Sequence, residues 1–380
     1  MDKQDYRKHI DEIDEQIVKL FAERMDVAAQ IAEYKKQNNL PILDASRERE
    51  KMAQVIQQSP ENIKSYTPQL YSLIMELSRS YQNHLTANKT DLAEKIQSAI
   101  ENTPKLFPET ASVACQGIEG ANSQYACDKI FRNANIMYFS DFEAVFSAIE
   151  KGLCRYGVIP VENSTAGSVN SVYDLMMNHN FYIVRSIRLK IEHNLLANQG
   201  AKLSDIKEIY SHEQAISQCS AFLSTLSNVR IIPCENTATA ARMVAESGRK
   251  DIAALASRNC MKYYGLSSLK DSVQNTDNNY TRFICIAKNL EIFPGADRTS
   301  MMLTLPHEQG SLYKILSRLY ALGINLNKLE SRPLPNREFE FMFYFDFDTP
   351  VYSPKLLQLF SELPEACDSY SYLGSYSEVF

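Results

Sequence analysis

Residues 4–38, QDYRKHIDEIDEQIVKLFAERMDVAAQIAEYKKQN, predict one uninterrupted helix. The stretch contains no proline or glycine, and its apolar residues recur at the three- and four-residue spacing of a single helix face. Such a helix would extend about 50 Å, since each residue adds about 1.5 Å. The two shorter helices predicted at 45–58 and 68–85 cannot cover its whole apolar stripe. We therefore expect an all-helical, intertwined dimer.

The predicted helices carry polar side chains at spacings that indicate a shared pocket. Arg24 and Lys35 are eleven residues apart, about three turns, and so lie on nearly the same face of the first helix. Arg7 is about 100° off that line, so we expect the partner subunit to supply it. Any one of these charges alone is typical of a solvated helix surface. The later helices add further polar residues at matching spacings: Asp44, Arg47, Glu48, Ser78 and Gln82.

Together these eight residues resemble the pattern of the all-helical chorismate mutases. The rearrangement of chorismate to prephenate needs only a compact substrate and charge near the ether oxygen. By resemblance, Arg24 and Arg7 of the partner subunit bind the substrate carboxylates. Lys35 and Gln82 hydrogen-bond the ether oxygen, and Glu48 binds the substrate hydroxyl. The resemblance assigns the remaining residues a supporting role in substrate binding: Asp44, Arg47 and Ser78.

A linker at 91–108, marked by two prolines and few large apolar residues, leads into a different pattern. From 109 to 288, short β-branched runs such as YGVIPV alternate with helical stretches such as FEAVFSAIEKG. This alternation is typical of an α/β domain. About seven or eight predicted strands favour two lobes that face each other across a cleft.

Polar segments follow several of the predicted strands, where α/β clefts collect their ligands. The clearest is GVIPVENSTAGSV at 157–169, and others are QGIEGANS at 116–123, YSHEQA at 210–215 and DNNYTRF at 277–283. Because Asn, Ser, Thr and Gly also serve turns and helix caps, each segment alone is typical of loop structure. His212 alone is likewise more often a structural histidine than a catalytic base.

In this order the segments resemble the prephenate dehydratases, whose hallmark triplet T-R-F stands at Thr281, Arg282 and Phe283. By resemblance, Thr281 is the residue most closely tied to catalysis, and Arg282 pairs with a substrate carboxylate. The other residues expected to act in catalysis are Glu162, Asn163 and Gln218. The other residues expected to contact the substrate are Ser164, Thr165, His212 and Phe283.

The dehydratase reaction expels the ring hydroxyl as water while CO₂ leaves, and aromatisation supplies the driving force. The protein must offer a proton or hydrogen-bond donor and a partly desolvated cleft, with no metal or organic cofactor. The sequence leaves open whether Glu162 or Thr281 delivers the proton. Asn122 stands where the family commonly has an aromatic residue.

The tail at 298–380 is predicted as strand, helix, two strands, helix and strand, an order typical of an α+β ferredoxin-like domain. Two of its segments, GSLY at 310–313 and ESRP at 330–333, resemble the ACT regulatory domains of phenylalanine-regulated dehydratases. Tyr313 replaces a smaller aliphatic residue, which leaves the strength and sign of the response open. The resemblance implies a phenylalanine effector site formed by Gly310, Ser311, Leu312, Glu330, Ser331, Arg332 and Pro333.

The predicted organisation is multidomain: a helical chorismate mutase domain at 1–90, the linker, a two-lobed periplasmic-binding-protein-like dehydratase domain at 109–288, and the ACT domain at 298–380. The resemblances imply a bifunctional enzyme of phenylalanine biosynthesis that makes prephenate and then phenylpyruvate under feedback by phenylalanine. Two alternatives stay open, a dehydratase whose helical domain only dimerises and a non-catalytic amino-acid sensor. A dehydrogenase would need a G-x-G-x-x-G turn, which the sequence lacks.

Composition limits the partners of the protein. The net charge is -6 and basic residues are dispersed, so neither nucleic acid nor a membrane surface is an expected partner. The eight cysteines lie far apart without a C-x-x-C pair, which argues against a zinc site or a disulfide framework. We expect a cytoplasmic homodimer without metal or cofactor, and leave assembly into a tetramer open.

Overall fold

The computed structural model describes residues 3–86, 91–335, 337 and 340–379 of the chain. These residues form two compact units. The first unit comprises the described residues up to Lys95 with Leu303–Leu326 and Tyr352–Tyr370. The second comprises Ile96–Met302, Asn327–Val351 and the described residues from Ser371 onward.

The three predicted helices are present as α1 (Lys3–Gln37), α2 (Ala45–Gln58) and α3 (Thr67–Thr86). A further helix, α4 (Asp91–Asn102), occupies most of the segment predicted as a linker. Asp44 caps α2, because its carboxylate accepts a hydrogen bond from the Arg47 amide at 3.0 Å. Within the single chain α1 buries only Ala28 and Ala32. Its larger apolar side chains are exposed, among them Ile10, Ile17, Val18, Leu20 and Val27.

Strands and helices alternate between residues 110 and 287, which confirms the predicted α/β pattern. The strands are β1 (Thr110–Gln116), β2 (Asn133–Phe139), β3 (Tyr156–Asn163), β4 (Gly167–Ser168), β5 (Tyr182–Lys190), β6 (Asn194–Ala197), β7 (Glu208–Ser211), β8 (Arg230–Pro233), β9 (Ile252–Ala256), β10 (Ser267–Lys270) and β11 (Tyr280–Ala287). The helices are α5 (Asn122–Ile130), α6 (Phe142–Glu150), α7 (Asn170–Met176), α8 (Glu213–Gln218), α9 (Ser220–Leu223), α10 (Thr237–Ser247) and α11 (Asn259–Tyr264).

The tail follows the predicted order of strands and helices. Its elements are β12 (Arg298–Thr304), α12 (Ser311–Ala321), β13 (Asn325–Pro333), β14 (Phe341–Asp348), α13 (Pro354–Ala366), β15 (Ser369–Tyr376) and β16 (Glu378–Val379). Four of these strands form a sheet in the order β13-β14-β12-β15, which we call the C-terminal sheet. The βαββαβ order with this arrangement is ferredoxin-like.

Two further sheets build the α/β part and define its two lobes. The large sheet has seven strands in the order β16-β5-β11-β3-β1-β2 with β4 beside β3, and the small sheet has the order β10-β6-β9-β7-β8. Both sheets mix parallel and antiparallel pairs, and apolar clusters cover both faces of each sheet. The chain passes between the lobes twice, at 191–193 and at 271–279. The predicted two-lobed architecture is therefore confirmed.

The last strand, β16, was not predicted from the sequence. It follows β15 of the C-terminal sheet directly but pairs in parallel with β5 of the large sheet, Glu378 opposite Ser186. The C-terminal sheet also shares an apolar core with the large sheet through Met342 and Tyr344. Gly374 in β15 allows this close approach, because a Cβ there would collide with the Ile183 carbonyl.

Candidate active sites

A cationic pocket of about 300 Å³ opens between α1, α2 and α3. Its walls contain seven of the eight predicted side chains: Arg24, Lys35, Asp44, Arg47, Glu48, Ser78 and Gln82. Arg7 lies outside the pocket, exposed on α1 seventeen residues before Arg24. Lys51 and Arg79 also line the pocket, and the sequence analysis missed both.

Hydrogen bonds hold several pocket side chains in place. The Arg24 guanidinium donates to the Ser78 hydroxyl and, at 3.4 Å, to a backbone carbonyl of α3. Burial lowers the pKa of Arg24 from its ordinary value, yet an arginine stays charged in such a setting. Glu48 pairs with Arg79. Among the described residues the buried Oε1 atom of Gln82 has no hydrogen-bond partner, so the pocket leaves an amide oxygen for a ligand.

A second cavity of about 470 Å³ lies between the two lobes of the α/β part. The large sheet contributes Asn163, Thr281 and Phe283 to its walls, and the smaller lobe contributes His212 and Gln218. The fold thus gathers predicted residues that are as much as 118 positions apart in the chain. We call this cavity the cleft.

Asn163 is the centre of a hydrogen-bond network in the cleft. Its Nδ2 donates to Thr281 Oγ1 at 2.9 Å and to Asn279 Oδ1 at 2.8 Å. Its Oδ1 accepts from the Thr165 hydroxyl at 2.7 Å. The register that places Thr281 opposite Asn163 on β11 and β3 brings the amide and the hydroxyl together. Because Thr281 Oγ1 accepts from an amide, its own hydrogen is available to a ligand.

Gln218 extends the network to the hinge between the lobes. Its Nε2 donates to the Thr165 hydroxyl at 2.7 Å, and its Oε1 accepts from Asn279 Nδ2 at 3.1 Å. His193 Nε2 lies 2.9 Å from the same Oε1, and since an amide oxygen only accepts, the imidazole proton sits on Nε2. Burial lowers the pKa of His193, which favours the neutral ring.

The sequence analysis missed His193 and Asn279, which lie in the two segments that join the lobes. His193 directly precedes β6 in the run KIEHN at 190–194, and a polar residue in a short connection is too common to be singled out. Asn279 belongs to the segment DNNYTRF, where the pattern alone does not distinguish it from Asn278. Only the paired strands show that Asn279 faces the network.

Three side chains predicted for the cleft lie instead on the opposite face of the large sheet: Glu162, Ser164 and Arg282. Successive side chains of an extended strand point to opposite faces. Since Asn163 and Thr281 face the cleft, the residues beside them face away. The register confirms this arrangement, because Arg282 is opposite Glu162 just as Thr281 is opposite Asn163.

Each of these three side chains has a hydrogen-bond or ion-pair partner on that opposite face. Glu162 pairs with Lys328 at 3.0 Å, and the Ser164 hydroxyl donates to a backbone carbonyl of the facing loop at 2.8 Å. Arg282 is buried and pairs with Asp346. In this structure Arg282 therefore does not face the cleft, contrary to its predicted pairing with a substrate carboxylate there. Of the two proton donors that the sequence left open, Thr281 lines the cleft and Glu162 does not.

Helix starts form other parts of the cleft wall. His212 lines the cleft and caps α8, since its Nδ1 accepts from the Gln214 amide at 3.2 Å. Asn122 begins α5 and Asn236 caps α10, and both line the cleft. His212 therefore serves as a helix cap at the cleft wall, and its predicted contact with the substrate stays a prediction.

The predicted effector residues occur in two separate groups. In the first unit, Gly310 has a φ of 85° immediately before α12, a conformation that glycine adopts without strain. The next residue, Ser311, donates to the Glu308 carbonyl at 3.1 Å, and Leu312 is partly buried. In the second unit the remaining effector residues are half-buried or exposed along β13: Glu330, Ser331, Arg332 and Pro333.

Ion pairs occupy the two charged effector residues. Arg332 donates two hydrogen bonds to Asp174, at 2.7 and 2.8 Å, and Glu330 lies 3.4 Å from Lys328. A charged ligand at either residue must replace these partners. Their effector role stays a prediction.

All eight cysteines occur as free thiols, seven of them buried. In the part of the chain that the structure describes, no group of three His, Cys, Asp or Glu side chains is arranged to hold a metal ion. None of the described helices is both long and apolar enough to cross a bilayer.

Comparison with known proteins identifies both parts of the chain. Residues 6–83 match the family described as chorismate mutase type II, and residues 113–291 match prephenate dehydratase. The bifunctional chorismate mutase/prephenate dehydratase of Buchnera aphidicola is 32% identical over 379 residues, which cover 98% of this chain and 95% of the relative. The Aquifex aeolicus protein of the same description is 31% identical, with coverages of 98% and 97%.

A solved structure extends the similarity beyond sequence. The prephenate dehydratase of Arthrobacter aurescens in complex with L-Phe has a TM-score of 0.65 and 25% identity, and the match covers 70% of this chain and 90% of that one. The helical pocket and the two-lobed cleft thus define a protein that joins a type II chorismate mutase fold to a prephenate dehydratase fold. The chain belongs to the family of bifunctional chorismate mutase/prephenate dehydratases.

Proposed function

We propose that this protein rearranges chorismate to prephenate in the helical pocket and converts prephenate to phenylpyruvate in the cleft. The observation that carries the proposal is that one chain, related over its whole length to bifunctional enzymes, contains both a cationic pocket and a cleft centred on Thr281. A purely structural helical domain would have no need to gather seven polar side chains around a cavity of about 300 Å³.

In the mutase step the pocket acts through charge and shape. Chorismate carries two carboxylates, and Arg24 with the neighbouring cations offers them charge-assisted hydrogen bonds. As the C–O bond breaks and the new C–C bond forms, the ether oxygen gains electron density. We assign its stabilisation to the Lys35 ammonium group and to the side-chain N–H of Gln82, which both donate, with Glu48 accepting from the substrate hydroxyl. No proton or electron pair is exchanged with the protein.

In the dehydratase step one C–C bond and one C–O bond break. The electron pair of the bond to the ring carboxylate forms the last double bond of the aromatic ring as CO₂ leaves. The ring hydroxyl takes up a proton, originally from solvent, and departs as water. We assign the hydrogen bond to that hydroxyl to Thr281, because Asn163 occupies the lone-pair side of its oxygen and leaves its hydrogen free.

The network behind Thr281 is directional. Each group donates to the next, from His193 to Gln218, from Gln218 to Thr165, from Thr165 to Asn163 and from Asn163 to Thr281. Hydrogen bonds in such a chain polarise one another, which makes the last hydroxyl a better donor. The amide members cannot pass a proton along, so the chain orients and polarises Thr281 and does not conduct protons.

The lining of the cleft suits the loss of CO₂. Within the described residues its walls contain no lysine or arginine, so no cation there stabilises the carboxylate that must leave. The second carboxylate of prephenate can bind the starts of α5 and α10, whose residues Asn122, Ser123 and Thr237 line the cleft and whose free amides favour anions. Phe283 supplies an apolar wall for the ring.

Phenylalanine is the proposed feedback effector. The support is the resemblance of GSLY and ESRP to ACT domains, the ferredoxin-like C-terminal sheet, and the related dehydratase whose structure contains L-Phe. Feedback requires two conformers that bind phenylalanine with different affinity and that differ at the cleft. The ion pairs of Glu330 and Arg332 would have to rearrange in the conformer that binds it.

We further propose that the chain works as an intertwined homodimer in which Arg7 of the partner subunit completes the mutase pocket. The support is the exposure of the apolar stripe of α1, including Ile17 at 58% and Leu20 at 63%. A second α1 helix would cover that stripe and bring its own Arg7 to the far end of the pocket. Two helical domains pairing by two-fold symmetry give two equivalent sites.

Subunit complementation should reveal the shared mutase site. We expect the Arg7→Ala protein and the Lys35→Ala protein each to be inactive as a mutase. When the two chains are co-expressed, about a quarter of all mutase sites should be intact. Half of the random dimers are hybrids, and each hybrid holds one intact site and one doubly altered site. Chorismate consumption by the co-purified mixture is the measurement. A mixture as inactive as its components would show that Arg7 acts within its own chain or not at all.

Supplying chorismate alone to the purified protein tests the function as a whole. We expect phenylpyruvate to form without added nucleotide or metal, with prephenate as a transient, and phenylalanine to suppress the second step. Phenylpyruvate is followed by its ultraviolet absorbance in alkali. Accumulation of prephenate would show that the cleft is inactive or serves as a sensor. If chorismate persists while added prephenate is converted, the helical domain only dimerises.

A further inference from the structure

Behind the cleft, Arg282 is enclosed by groups from the end of the chain. Only 6% of the residue is exposed. Its guanidinium pairs with Asp346, donates to the Tyr376 hydroxyl at 2.8 Å, and lies 3.5 Å from the Glu378 carboxylate. We call Arg282, Asp346, Tyr376 and Glu378 the Arg282 cluster.

The two carboxylates of the Arg282 cluster are as buried as the arginine. Asp346 is 1% exposed and also accepts from the Tyr344 hydroxyl at 2.8 Å. The Glu378 side chain is likewise 1% exposed. It lies 3.1 and 3.2 Å from two further guanidinium groups, those of Arg188 and Arg298. Charges without access to water must keep their partners, so these groups hold one another in fixed positions.

Every partner of Arg282 named here belongs to the C-terminal part of the chain. Asp346 is in β14, Tyr376 ends β15, and Glu378 begins β16. These strands are tightly packed on the large sheet, as the contact at Gly374 shows. The position of Arg282 is therefore coupled to the position of the C-terminal sheet.

The pairing of β11 with β3 is irregular directly after Thr281 and Arg282. The pairing of β11 with β3 shifts register between Arg282 and Phe283, and the residue opposite Phe283 is Pro160. A proline has no N–H to give to the ladder. The ladder is therefore less regular on the β3 side of β11 than on the β5 side, where Arg282 is opposite Arg188 without a shift. The buried side chain of Arg282 adds an attachment of β11 to the C-terminal strands.

We propose that Arg282 is a positioning residue of the dehydratase, through which the C-terminal sheet sets the position of Thr281. Thr281 and Arg282 are consecutive and point to opposite faces, so a shift of the Arg282 cluster moves the Thr281 hydroxyl relative to the cleft. The inference rests on the proposed dehydratase function. It also gives a bound effector a route to the cleft, since any displacement of β14 or β15 moves Asp346 or Tyr376.

The test replaces a partner of Arg282 and leaves the cleft untouched. Asp346→Asn keeps the size of the side chain and removes its charge, and we expect the dehydratase kcat to fall about 10- to 100-fold, as misplacement of a reacting group by about 1 Å does. The KM for prephenate should change little, because Arg282 does not reach the substrate. Tyr376→Phe removes one hydrogen bond and should act in the same direction more weakly. Asp348→Asn, at the exposed end of the same strand, is the matched control and should leave kcat unchanged.

A double variant separates positioning from general damage. If Asp346 acts through Thr281, then in a Thr281→Val background the additional Asp346→Asn change should lower the remaining kcat hardly at all. Equal losses in both backgrounds would show that Asp346 acts independently of Thr281 and would overturn the proposal. Circular dichroism and thermal unfolding of the same preparations report whether the altered part of the chain is folded.

Two other results would also count against the inference. An unchanged kcat for a folded Asp346→Asn protein would show that the Arg282 cluster does not position Thr281. A raised KM with normal kcat in Arg282→Gln would return Arg282 to the role of carboxylate ligand that its motif predicts. Failure of the proposed function is a separate outcome, because the unaltered protein would then make no phenylpyruvate from prephenate.

Discussion

Thr281→Val is expected to lower the dehydratase kcat by about 10²- to 10³-fold, the loss that follows removal of one well-placed hydrogen-bond donor. Valine has nearly the shape of threonine and lacks only the hydroxyl. In the cleft that hydroxyl accepts from Asn163 Nδ2 at 2.9 Å, which aims its hydrogen toward the ligand. The departing ring hydroxyl then loses its donor at the moment when it gains negative charge.

The KM for prephenate is expected to change much less than kcat in Thr281→Val, because the ring and the remaining carboxylate keep their other contacts. The measurement is steady-state phenylpyruvate formation from supplied prephenate. Thr281→Ser keeps the hydroxyl and should retain most of the activity. Mutase activity on chorismate should stay unchanged, since the helical pocket shares no residue with the cleft. Wild-type kcat in Thr281→Val would remove Thr281 from the mechanism.

Local sequence patterns were sufficient to predict the helices and strands that carry both sites. The first helix could be predicted because 35 residues without proline or glycine place their apolar side chains at helical spacing. The residues of the mutase pocket were predicted from the resemblance to the all-helical chorismate mutases, and helical spacing by itself placed only Arg24 and Lys35 on one face of the first helix. Arg79 was missed because its role, to pair with Glu48 on another helix, has no signature in either helix alone.

Glu162 and Arg282 were assigned to the cleft because every residue of a motif was taken to face the substrate. In a strand, neighbouring side chains point to opposite faces. The alternation of side chains was available from the sequence, and it forbids Thr281 and Arg282 from facing the same cavity. The same reasoning separates Asn163 from Glu162. The two-residue alternation of strand side chains, applied to GVIPVEN and YTRF, predicts that Glu162 and Arg282 face away from the substrate.

What Arg282 contacts could not be predicted in that way. Its partner Asp346 is 64 residues away, and Tyr376 is 94 residues away, across a different sheet. β16 has only two residues, too few to show any periodicity, and it pairs with β5 of a distant sheet. Contacts of this kind depend on how sheets pack, which the local pattern does not contain.

The second large effect is expected at the mutase pocket, where Lys35→Met should lower kcat/KM for chorismate by about 10²- to 10³-fold. Methionine approximates the length of the lysine stem and removes the charge that we assign to the ether oxygen. In the structure Lys35 Nζ donates to the Ile42 carbonyl, which directs the ammonium group to the pocket wall. The loss should therefore concern transition-state stabilisation more than folding.

Lys36→Met is the matched control, because Lys36 is the next residue of α1, carries the same charge and is exposed outside the pocket. It should change kcat/KM for chorismate by less than about twofold, as expected for a solvated surface charge. In both variants phenylpyruvate formation from supplied prephenate should remain at the wild-type rate, which also reports an intact fold. Equal losses in the two variants would mean that the total charge of α1 matters and that Lys35 has no specific place at the ether oxygen. Loss of both activities in Lys35→Met alone would mean that the helical pocket and the cleft do not act as independent sites.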